Sequence, residues 1–230
     1  MKTLNIGKSQ DQDEKIQEII EFPEKSLFYY AGKRSFDIVG GFVGLVISFL
    51  PIAILVILIK RDGGPAFFVQ ERIGLNGKPF KMYKLRSMVV NADELKDKLL
   101  DRNEIHGGMF KMKEDPRVTK VGRIIRHYSL DELPQFLNVL KGEMSLIGPR
   151  PCLPRELAKY SEYDKNRLLA KPGISGLWQV SGRSNLEFKD MIELDLKYIR
   201  ERSLIKDLKI CLRTIWIVVS KNSGGLLTSG

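Results

Sequence analysis

The sequence predicts a mostly helical α+β fold: a re-entrant membrane helix, a compact cytosolic domain with a small β-hairpin, and amphipathic helices at the membrane interface. Three observations predict this class. Residues 38–59 contain no charged side chain, and a continuous helix of that length reaches about 33 Å, one hydrocarbon core. Two apolar segments then flank an Asn-Gly pair, which is typical of a hairpin. Most of the remaining chain has apolar residues at helical spacing.

The acidic tail and the membrane helix come first in the chain. Composition divides the sequence into an acidic tail at 1–31, a membrane helix at 32–61, a cytosolic domain at 62–221 and a short tail at 222–230. Lys33 and Arg34 precede the apolar stretch and Lys60 and Arg61 follow it, so both flanks favour the cytoplasmic side. Pro51 lies inside the stretch, where it removes a backbone hydrogen bond and kinks the helix. These features favour a re-entrant helix over a straight span, with a buried core helix as the third alternative.

The cytosolic domain is predicted to begin with the hairpin and to continue as helices. Phe67–Ile73 and residues 80–85 flank Gly-Leu-Asn-Gly at 74–77. Apolar spacing predicts helices at 92–100, 131–140, 154–169 and 185–202, with Asp195 as the polar member of the last apolar face. A final helix at 204–219 has Leu208, Leu212 and Trp216 on one face, which suits either the membrane interface or core packing.

Composition restricts the function classes. Of the 230 residues, 43% are hydrophobic and 29% charged, which excludes wholesale disorder and a channel with many spans. The formal net charge of +10 predicts an anionic partner, namely nucleic acid, a phosphorylated substrate or lipid headgroups. The two cysteines, Cys152 and Cys211, and the two histidines follow no disulfide or metal-ligand pattern, so we expect a reducing, cytosol-facing setting.

Residues 126–135 concentrate side chains that could do chemistry, in the order Arg-His-Tyr-Ser-Leu-Asp-Glu-Leu-Pro-Gln. Ser129 and Glu132 have the spacing of a helix capping box, and Asp131 is an alternative N-cap with Pro134 in the first turn. An aspartate at the positive end of a helix dipole is also held ionised, as a nucleophile must be. Capping and catalysis are compatible, so both interpretations stay open.

Two predicted loops each contain an arginine next to prolines, which restrict the backbone, or glycines, which make it more flexible. Arg150 lies between Pro149 and Pro151, and Arg183 ends a Gly-rich stretch that begins at Pro172. Guanidinium groups bind phosphate oxygens in a bidentate manner, so both are candidate phosphate ligands. The alternative for each is an ordinary surface arginine in a turn.

The chain resembles the bacterial sugar transferase family in five segments that occur in order and without a large gap. They are Lys-Arg-Ser-Phe-Asp at 33–37, Tyr-Lys-Leu-Arg-Ser-Met at 83–88, and residues 126–135, 144–151 and 171–183. The resemblance is to the small, single-module type of monotopic polyprenol-phosphate phosphoglycosyl transferase. It implies transfer of a phosphosugar from a UDP-sugar to undecaprenyl phosphate, with release of UMP, on the cytosolic side of the bacterial inner membrane. Such a reaction starts the assembly of capsule, exopolysaccharide, O-antigen or other glycoconjugates.

The resemblance also implies roles for particular residues. Asp131 becomes the nucleophile of a covalent phosphosugar-aspartyl enzyme and a ligand of Mg²⁺, and Glu132 becomes its dyad partner. Phosphate contacts are implied for Arg126, Arg150 and Arg183. The membrane helix of the family is often broken at a Ser-Pro pair, whereas this chain has Leu-Pro at 50–51 and a serine two residues earlier.

Other functions stay open on the sequence alone. A glycosyltransferase that releases UDP is one alternative, and a basic, membrane-anchored adaptor is another. Nucleic acid is not an expected partner, because no zinc-finger, RRM or homeodomain pattern occurs. The sequence chooses neither among galactose, glucose and N-acetylated sugars nor between a monomer and a homodimer.

Overall fold

The first element is a long apolar helix. A computed structural model describes residues 22–97, 99, 112, 114–182 and 186–220, and within them α1 spans Leu27–Ile59. Its N-cap is Ser26, whose hydroxyl accepts from the Tyr29 amide at 3.2 Å. The helix starts before the predicted boundary at residue 32 and continues through Pro51. Within the described ranges it is the one helix long and apolar enough to cross a membrane. Residues 1–21 of the predicted tail lie outside those ranges, as do residues 221–230.

The predicted hairpin is confirmed. β1 (Phe67–Ile73) pairs antiparallel with β2 (Pro79–Leu85). The connecting turn has positive φ at Asn76, 55°, and at Gly77, 77°, a conformation that these two residue types adopt most readily. A second, parallel pair of strands, β3 (Ser145–Ile147) and β4 (Gly173–Ser175), was not predicted.

Helices form the rest of the described domain. They are α2 (Ala92–Asp97), α3 (Lys120–His127), α4 (Gln135–Lys141), α5 (Pro154–Leu157), α6 (Glu162–Lys165), α7 (Leu177–Ser181), α8 (Phe188–Glu201) and α9 (Leu204–Val219). Single 3₁₀ turns occur at Lys60–Asp62, Leu75–Gly77, Leu130–Glu132 and Asn166–Leu169.

Two predicted helices differ in extent from those observed. Both capping interpretations of 131–140 are wrong, because Leu130–Glu132 is a 3₁₀ turn, Ser129 has a left-handed φ of 56° with no capping bond, and the N-cap of α4 is Pro134. The predicted helix at 154–169 is broken, since Ser161 starts a new capping box with Asp164. The predicted helices at 92–100, 185–202 and 204–219 correspond to α2, α8 and α9, and residues 98, 100 and 185 of these predictions lie outside the described ranges.

The core lies between α1, α4, α8 and the two small sheets. The largest side chains buried there include Met82, Val139, Met144, Ile147, Ile192, Leu196, Tyr198 and Ile199. As the apolar spacing predicted, one face of α8 is buried, and Asp195 on that face is fully buried too. By contrast the apolar face of α9 is exposed, with Leu212 58% and Trp216 67% exposed. Core packing is therefore excluded for that face.

One face of α1 packs against this domain along most of its length. Buried positions recur at helical spacing, at Asp37, Gly41, Ser48, Leu55 and Ile59. The remaining faces carry exposed apolar side chains, among them Val39, Phe42, Val46, Ile47, Phe49, Leu50 and Ile57. The buried face therefore carries polar or small residues in the first part of the helix and Leu55 and Ile59 in the last part. The remaining surface of the helix is apolar and has no protein partner within the described residues.

Candidate active site

Two adjacent carboxylates lie in the 3₁₀ turn between α3 and α4. The side chain of Asp131 is 15% exposed and that of Glu132 is 38% exposed, so the first is recessed and the second is open to solvent. The left-handed Ser129 reverses the chain after α3, and the buried Pro134 begins α4. The turn therefore has a fixed backbone on both sides.

The end of strand β2 supplies a cation to these carboxylates. Lys84 Nζ lies 3.7 Å from Asp131 Oδ2 and 3.3 Å from Glu132 Oε1. Because side chains alternate along a strand, the next residue, Leu85, points into the core, where it is 1% exposed. Lys84 lies in one of the family segments, but no role was predicted for it from the sequence.

The electrostatics of Asp131 reflect this environment. Burial raises the pKa of the Asp131 carboxyl above its ordinary value, and the neighbouring Glu132 raises it further. The charges of Lys84 and Arg126 oppose this change by lowering the pKa. A nucleophilic carboxylate at this position therefore depends on nearby cations to stay ionised.

Arg126 reaches the site from the last turn of α3. Its Nε donates to Ser87 Oγ at 2.9 Å, directly after the strand that holds Lys84. The approach of α3 requires Gly122, because a Cβ there would lie 1.9 Å from the Ser87 carbonyl oxygen. Helix α3 is thus held against the end of β2, and Arg126 lies on the side of the helix that faces Asp131 and Glu132.

Arg86 fixes the same strand end to α1. Its guanidinium donates to both carboxylate oxygens of Asp62, to the Ile59 carbonyl at 3.2 Å and to the Pro65 carbonyl at 2.6 Å. Three nearly consecutive residues therefore have three different tasks: Lys84 contacts the dyad, Arg86 holds the end of the apolar helix, and Ser87 accepts from Arg126.

Arg150 lies in a second group of charges that includes Arg72. Its Nη1 is 3.6 Å from Glu156 Oε2, and Arg72 is 4.0 Å from the same oxygen. Burial and the charge of Arg150 lower the pKa of Arg72 to about 10, while Glu156 and Glu132 raise it. Arg72 is therefore near enough to Glu132 for their charges to interact. Neither Arg72 nor Glu156 was predicted, because nothing in their local sequence marks them.

Close backbone contacts hold the loop of Arg150 in place. A Cβ at Gly148 would lie 2.2 Å from the Lys171 carbonyl oxygen, and one at Gly173 would lie 2.1 Å from the Gly148 amide. The backbone N–H of Arg150 also donates to Asp195, which forms a buried ion pair with Arg167. The family segments at 144–151 and 171–183 therefore meet directly. Arg183 lies outside the described residues.

The predicted membrane residues lie away from the dyad. Lys33 Nζ is 2.9 Å from Asp207 Oδ2 and 3.5 Å from Asp37 Oδ1, and the side chain of Lys33 is 13% exposed. Arg34 donates to the last carbonyls of α4, at 2.7 Å each. Both side chains thus bind the domain, and Pro51 lies in the middle of α1.

The family of the chain follows from comparison with known proteins. The model of the family described as "Bacterial sugar transferase" matches residues 28–221, which include every element from α1 to α9 except the first residue of α1. The chain belongs to the bacterial sugar transferase family. The matched residues contain Asp131 and Glu132, the cations Lys84 and Arg126, and the two helices with exposed apolar faces, α1 and α9.

Several relatives have informative names. The chain is 47% identical over 218 residues to the galactosyl transferase CpsE of Streptococcus agalactiae, and this match covers 94% of the chain and 49% of the relative. It is 44% identical over 194 residues to the undecaprenyl-phosphate galactose phosphotransferase of Salmonella typhimurium, covering 83% of the chain and 41% of the relative. The exopolysaccharide production protein ExoY of Rhizobium meliloti is 40% identical over 189 residues, covering 80% of the chain and 83% of the relative. The chain thus spans about half the length, or less, of the first two relatives.

Proposed function

We propose that this protein transfers a phosphosugar from a UDP-sugar to undecaprenyl phosphate, releases UMP, and uses Asp131 as the nucleophile. The observation that carries the proposal is the recessed carboxylate of Asp131, beside Glu132 and with Lys84 within 4 Å of both. The names of two relatives support it, an undecaprenyl-phosphate galactose phosphotransferase and a UDP-galactose-lipid carrier transferase. The name of ExoY supports a role in exopolysaccharide production.

The proposed chemistry has two balanced steps. A carboxylate oxygen of Asp131 attacks the phosphorus that carries the sugar, the P–O bond to the second phosphate breaks, and UMP leaves with that electron pair. A phosphate oxygen of the lipid then attacks the same phosphorus and displaces the carboxylate, which regenerates the enzyme. One phosphoanhydride replaces another, so no ATP is required. Because each attack brings two anions together, the site must supply positive charge.

The described cations are suited to that task. Lys84 lies against the carboxylates and Arg126 lowers the pKa of Asp131, so both stabilise the ionised nucleophile. The charge of Arg72 interacts with those of Glu132 and Arg150, and the guanidinium groups of both arginines can bind phosphate oxygens. We also assign Arg183 to phosphate binding, on the family resemblance.

We propose Mg²⁺ as the cofactor, held by Asp131 and Glu132. Among the described residues, no group of three or more His, Cys, Asp or Glu side chains is placed so that it could hold a metal ion. One or two carboxylates are nevertheless a donor set that suits Mg²⁺ in sites that also bind phosphates, so Asp131 and Glu132 would hold the ion. When bound, Mg²⁺ neutralises charge on the diphosphate.

We propose that α1 is re-entrant in the inner membrane, with the domain in the cytosol. Residues near both ends of α1 pack on the same domain, Arg34 at one end and Ile59 at the other. A straight helix of this length would extend about 50 Å, so a straight span would carry one end far from the domain. A helix that enters one leaflet and returns keeps both ends beside it, and Pro51 provides a place to bend. The exposed apolar face of α9 would lie in the interface.

Accessibility labelling tests the membrane topology. Single cysteines replace Glu24 and Arg61, both exposed, in a background that lacks Cys152 and Cys211. A membrane-impermeant maleimide should label both positions in inside-out vesicles and neither in right-side-out vesicles. Labelling of the two positions from opposite sides would contradict the re-entrant helix.

UMP release tests the function. In detergent, with a UDP-sugar and undecaprenyl phosphate, Asp131→Asn should lower UMP release by about 10³-fold or more. The matched control is Asp190→Asn, an exposed carboxylate on α8, which should stay within about twofold of the wild type. Near wild-type release by Asp131→Asn would disprove the nucleophile, and release of UDP in place of UMP would instead assign a glycosyltransferase.

Mass spectrometry tests the intermediate directly. When the protein is quenched after exposure to the UDP-sugar without lipid, a phosphosugar adduct should be found on Asp131. An adduct on another residue would assign the nucleophile to that residue, and the absence of any adduct would contradict the covalent route. A panel of UDP-sugars in the UMP assay identifies the sugar.

A further inference from the structure

A cavity of about 410 Å³ lies beside the N-terminal end of α1, apart from the dyad. Side chains from α1, from the turn of the hairpin, from residues 169–171 and from α8 line it. Arg34, in its wall, caps the C-terminal end of α4, whereas the dyad precedes the N-terminal end of the same helix. About 10 Å of helix therefore separates the two places. The proposed transfer reaction uses none of the residues that line this cavity.

The charges of the cavity are not balanced. Four cations line it, namely Lys33, Arg34, Lys171 and Arg202. Within the described ranges the carboxylates of Asp37 and Asp207 pair with Lys33 alone, and no carboxylate lies within 4 Å of the other three cations. The cavity therefore holds an excess of positive charge.

Two of the three cations that have no carboxylate partner in the described part of the chain, Arg34 and Lys171, are close to each other. A Cβ at Gly142 would lie 3.5 Å from Arg34 Nη2 and 3.6 Å from Lys171 Nζ, so the two charges are within about 7 Å, a distance at which like charges repel appreciably. Burial and the charge of Arg34 lower the pKa of Lys171 accordingly. Nε of Arg202 is buried without a hydrogen-bond partner in the described structure. A bound anion would relieve both conditions.

The surroundings of the cavity are typical of a membrane interface. Tyr29 and Tyr30 line it, next to the apolar part of α1, and Arg202 lies over both rings at 5.9 and 5.7 Å. Tyrosines are enriched at the level of lipid headgroups. Beside them, Phe28 is 89% and Ile205 is 68% exposed. An anion held here would therefore have apolar surface next to it that can accommodate acyl chains.

We infer that this cavity binds the phosphate of an anionic phospholipid headgroup, as a lipid site separate from the one where the acceptor lipid reacts. The inference rests on the membrane placement proposed above. The volume is within the range of sites for small ligands. The headgroup phosphate would lie among Arg34, Lys171 and Arg202, and the acyl chains would follow the exposed apolar surface of α1 and α9.

Calorimetry of the full chain in a neutral detergent tests the site, with dioctanoyl phosphatidylglycerol as the probe. Lys171→Gln and Arg202→Gln should each weaken binding about fivefold, and the double variant about 25-fold. Each single variant removes the attraction between one cation and the anionic headgroup, and the two losses multiply. Lys171→Arg keeps the charge and should bind like the wild type. Lys209→Gln is the matched control, because it removes an exposed cation of α9 outside the cavity and should stay within about twofold.

Four outcomes would overturn the inference. Equal binding of dioctanoyl phosphatidylcholine would show that the cavity does not recognise the headgroup charge. An equal loss of affinity in Lys209→Gln would show that the general positive charge of the protein, rather than the cavity, attracts the probe. Displacement of the probe by inorganic phosphate at the same concentration would assign a soluble ligand, and displacement by farnesyl phosphate at lower concentration would assign the acceptor lipid. The titration contains no sugar donor, so failure of the proposed transferase reaction would not affect its result.

Discussion

The two ends of α1 are attached to the domain in different ways. At the N-terminal end, Asp37 is 2% exposed and accepts from Ser145 Oγ at 2.9 Å and from the Leu146 amide at 3.0 Å. At the C-terminal end, Arg86 binds Asp62, whose side chain is 45% exposed. Buried polar groups have no water to replace a lost partner, whereas exposed ones do.

The ends also differ in what lies next to them. The N-terminal end contacts the core around β3 and the C-terminal end of α4, and the cavity described above lies near it. The C-terminal end is held by Arg86, which lies between Lys84 and Ser87, two residues of the candidate site. We therefore expect damage at the first end to lower stability, and damage at the second end to lower activity.

The largest expected effect is on stability at the N-terminal end. Asp37→Ala should lower the free energy of unfolding by about 3–5 kcal/mol, because it leaves buried donors and Lys33 with fewer partners. The matched change at the other end, Asp62→Ala, should cost less, about 1–2 kcal/mol, because Asp62 is 45% exposed and the buried guanidinium of Arg86 keeps its bonds to the carbonyls of Ile59 and Pro65. Equilibrium unfolding in detergent measures both values. Equal losses would remove the distinction between the ends.

The next effect is on activity at the C-terminal end. Arg86→Lys keeps a positive charge but cannot form the fork to Asp62 while also donating to Ile59 and Pro65. The strand end that carries Lys84 and Ser87 should then shift, and UMP release should fall by about 10- to 100-fold. Arg123→Lys, at an exposed position of α3, serves as the control and should be nearly silent. An unchanged rate in Arg86→Lys would show that the dyad does not depend on this attachment.

Part of the fold and of the candidate site could be predicted from local patterns in the sequence. The apolar stretch, the hairpin and the amphipathic final helix follow from local patterns, and each was predicted. Asp131 and Glu132 stood out within residues 126–135, and their catalytic roles, which came from the family resemblance, stay predictions. Both local capping interpretations of this segment were wrong, because Ser129 has a left-handed φ and Pro134 is the N-cap of α4. A capping pattern cannot be distinguished from a 3₁₀ turn by spacing alone.

The partners of the site residues could not be predicted, because they come from distant parts of the chain. Lys84 reaches the dyad from another strand, and Glu156 binds both Arg72 and Arg150 from a third segment. Lys33 and Arg34 resembled membrane-flanking charges, yet their side chains bind the domain. Such contacts depend on tertiary structure and have no local pattern.

The smallest expected effect is a change in a pKa, and it concerns the C-terminal end alone. In metal-free protein, a carbon-13 carboxyl titration should find the pKa of Asp131 above the ordinary aspartate value, because burial and Glu132 disfavour its charged form. Lys84→Gln removes a charge that lowers this pKa, so the pKa should rise further. The carboxyl would then be protonated over a wider range of pH, and less of the proposed nucleophile would be ionised at a given acidic pH.

A control residue separates this local effect from a general change in charge. Lys81→Gln removes the same charge at an exposed position of the same strand, where no ion pair to the dyad is formed within the described residues. The pKa of Asp131 should therefore be unchanged in that variant. An equal rise in both variants would indicate that the net charge of the domain, rather than the contact with Lys84, keeps Asp131 ionised. The attachment of β2 to the end of α1 would then matter for position alone and not for the electrostatics of the nucleophile.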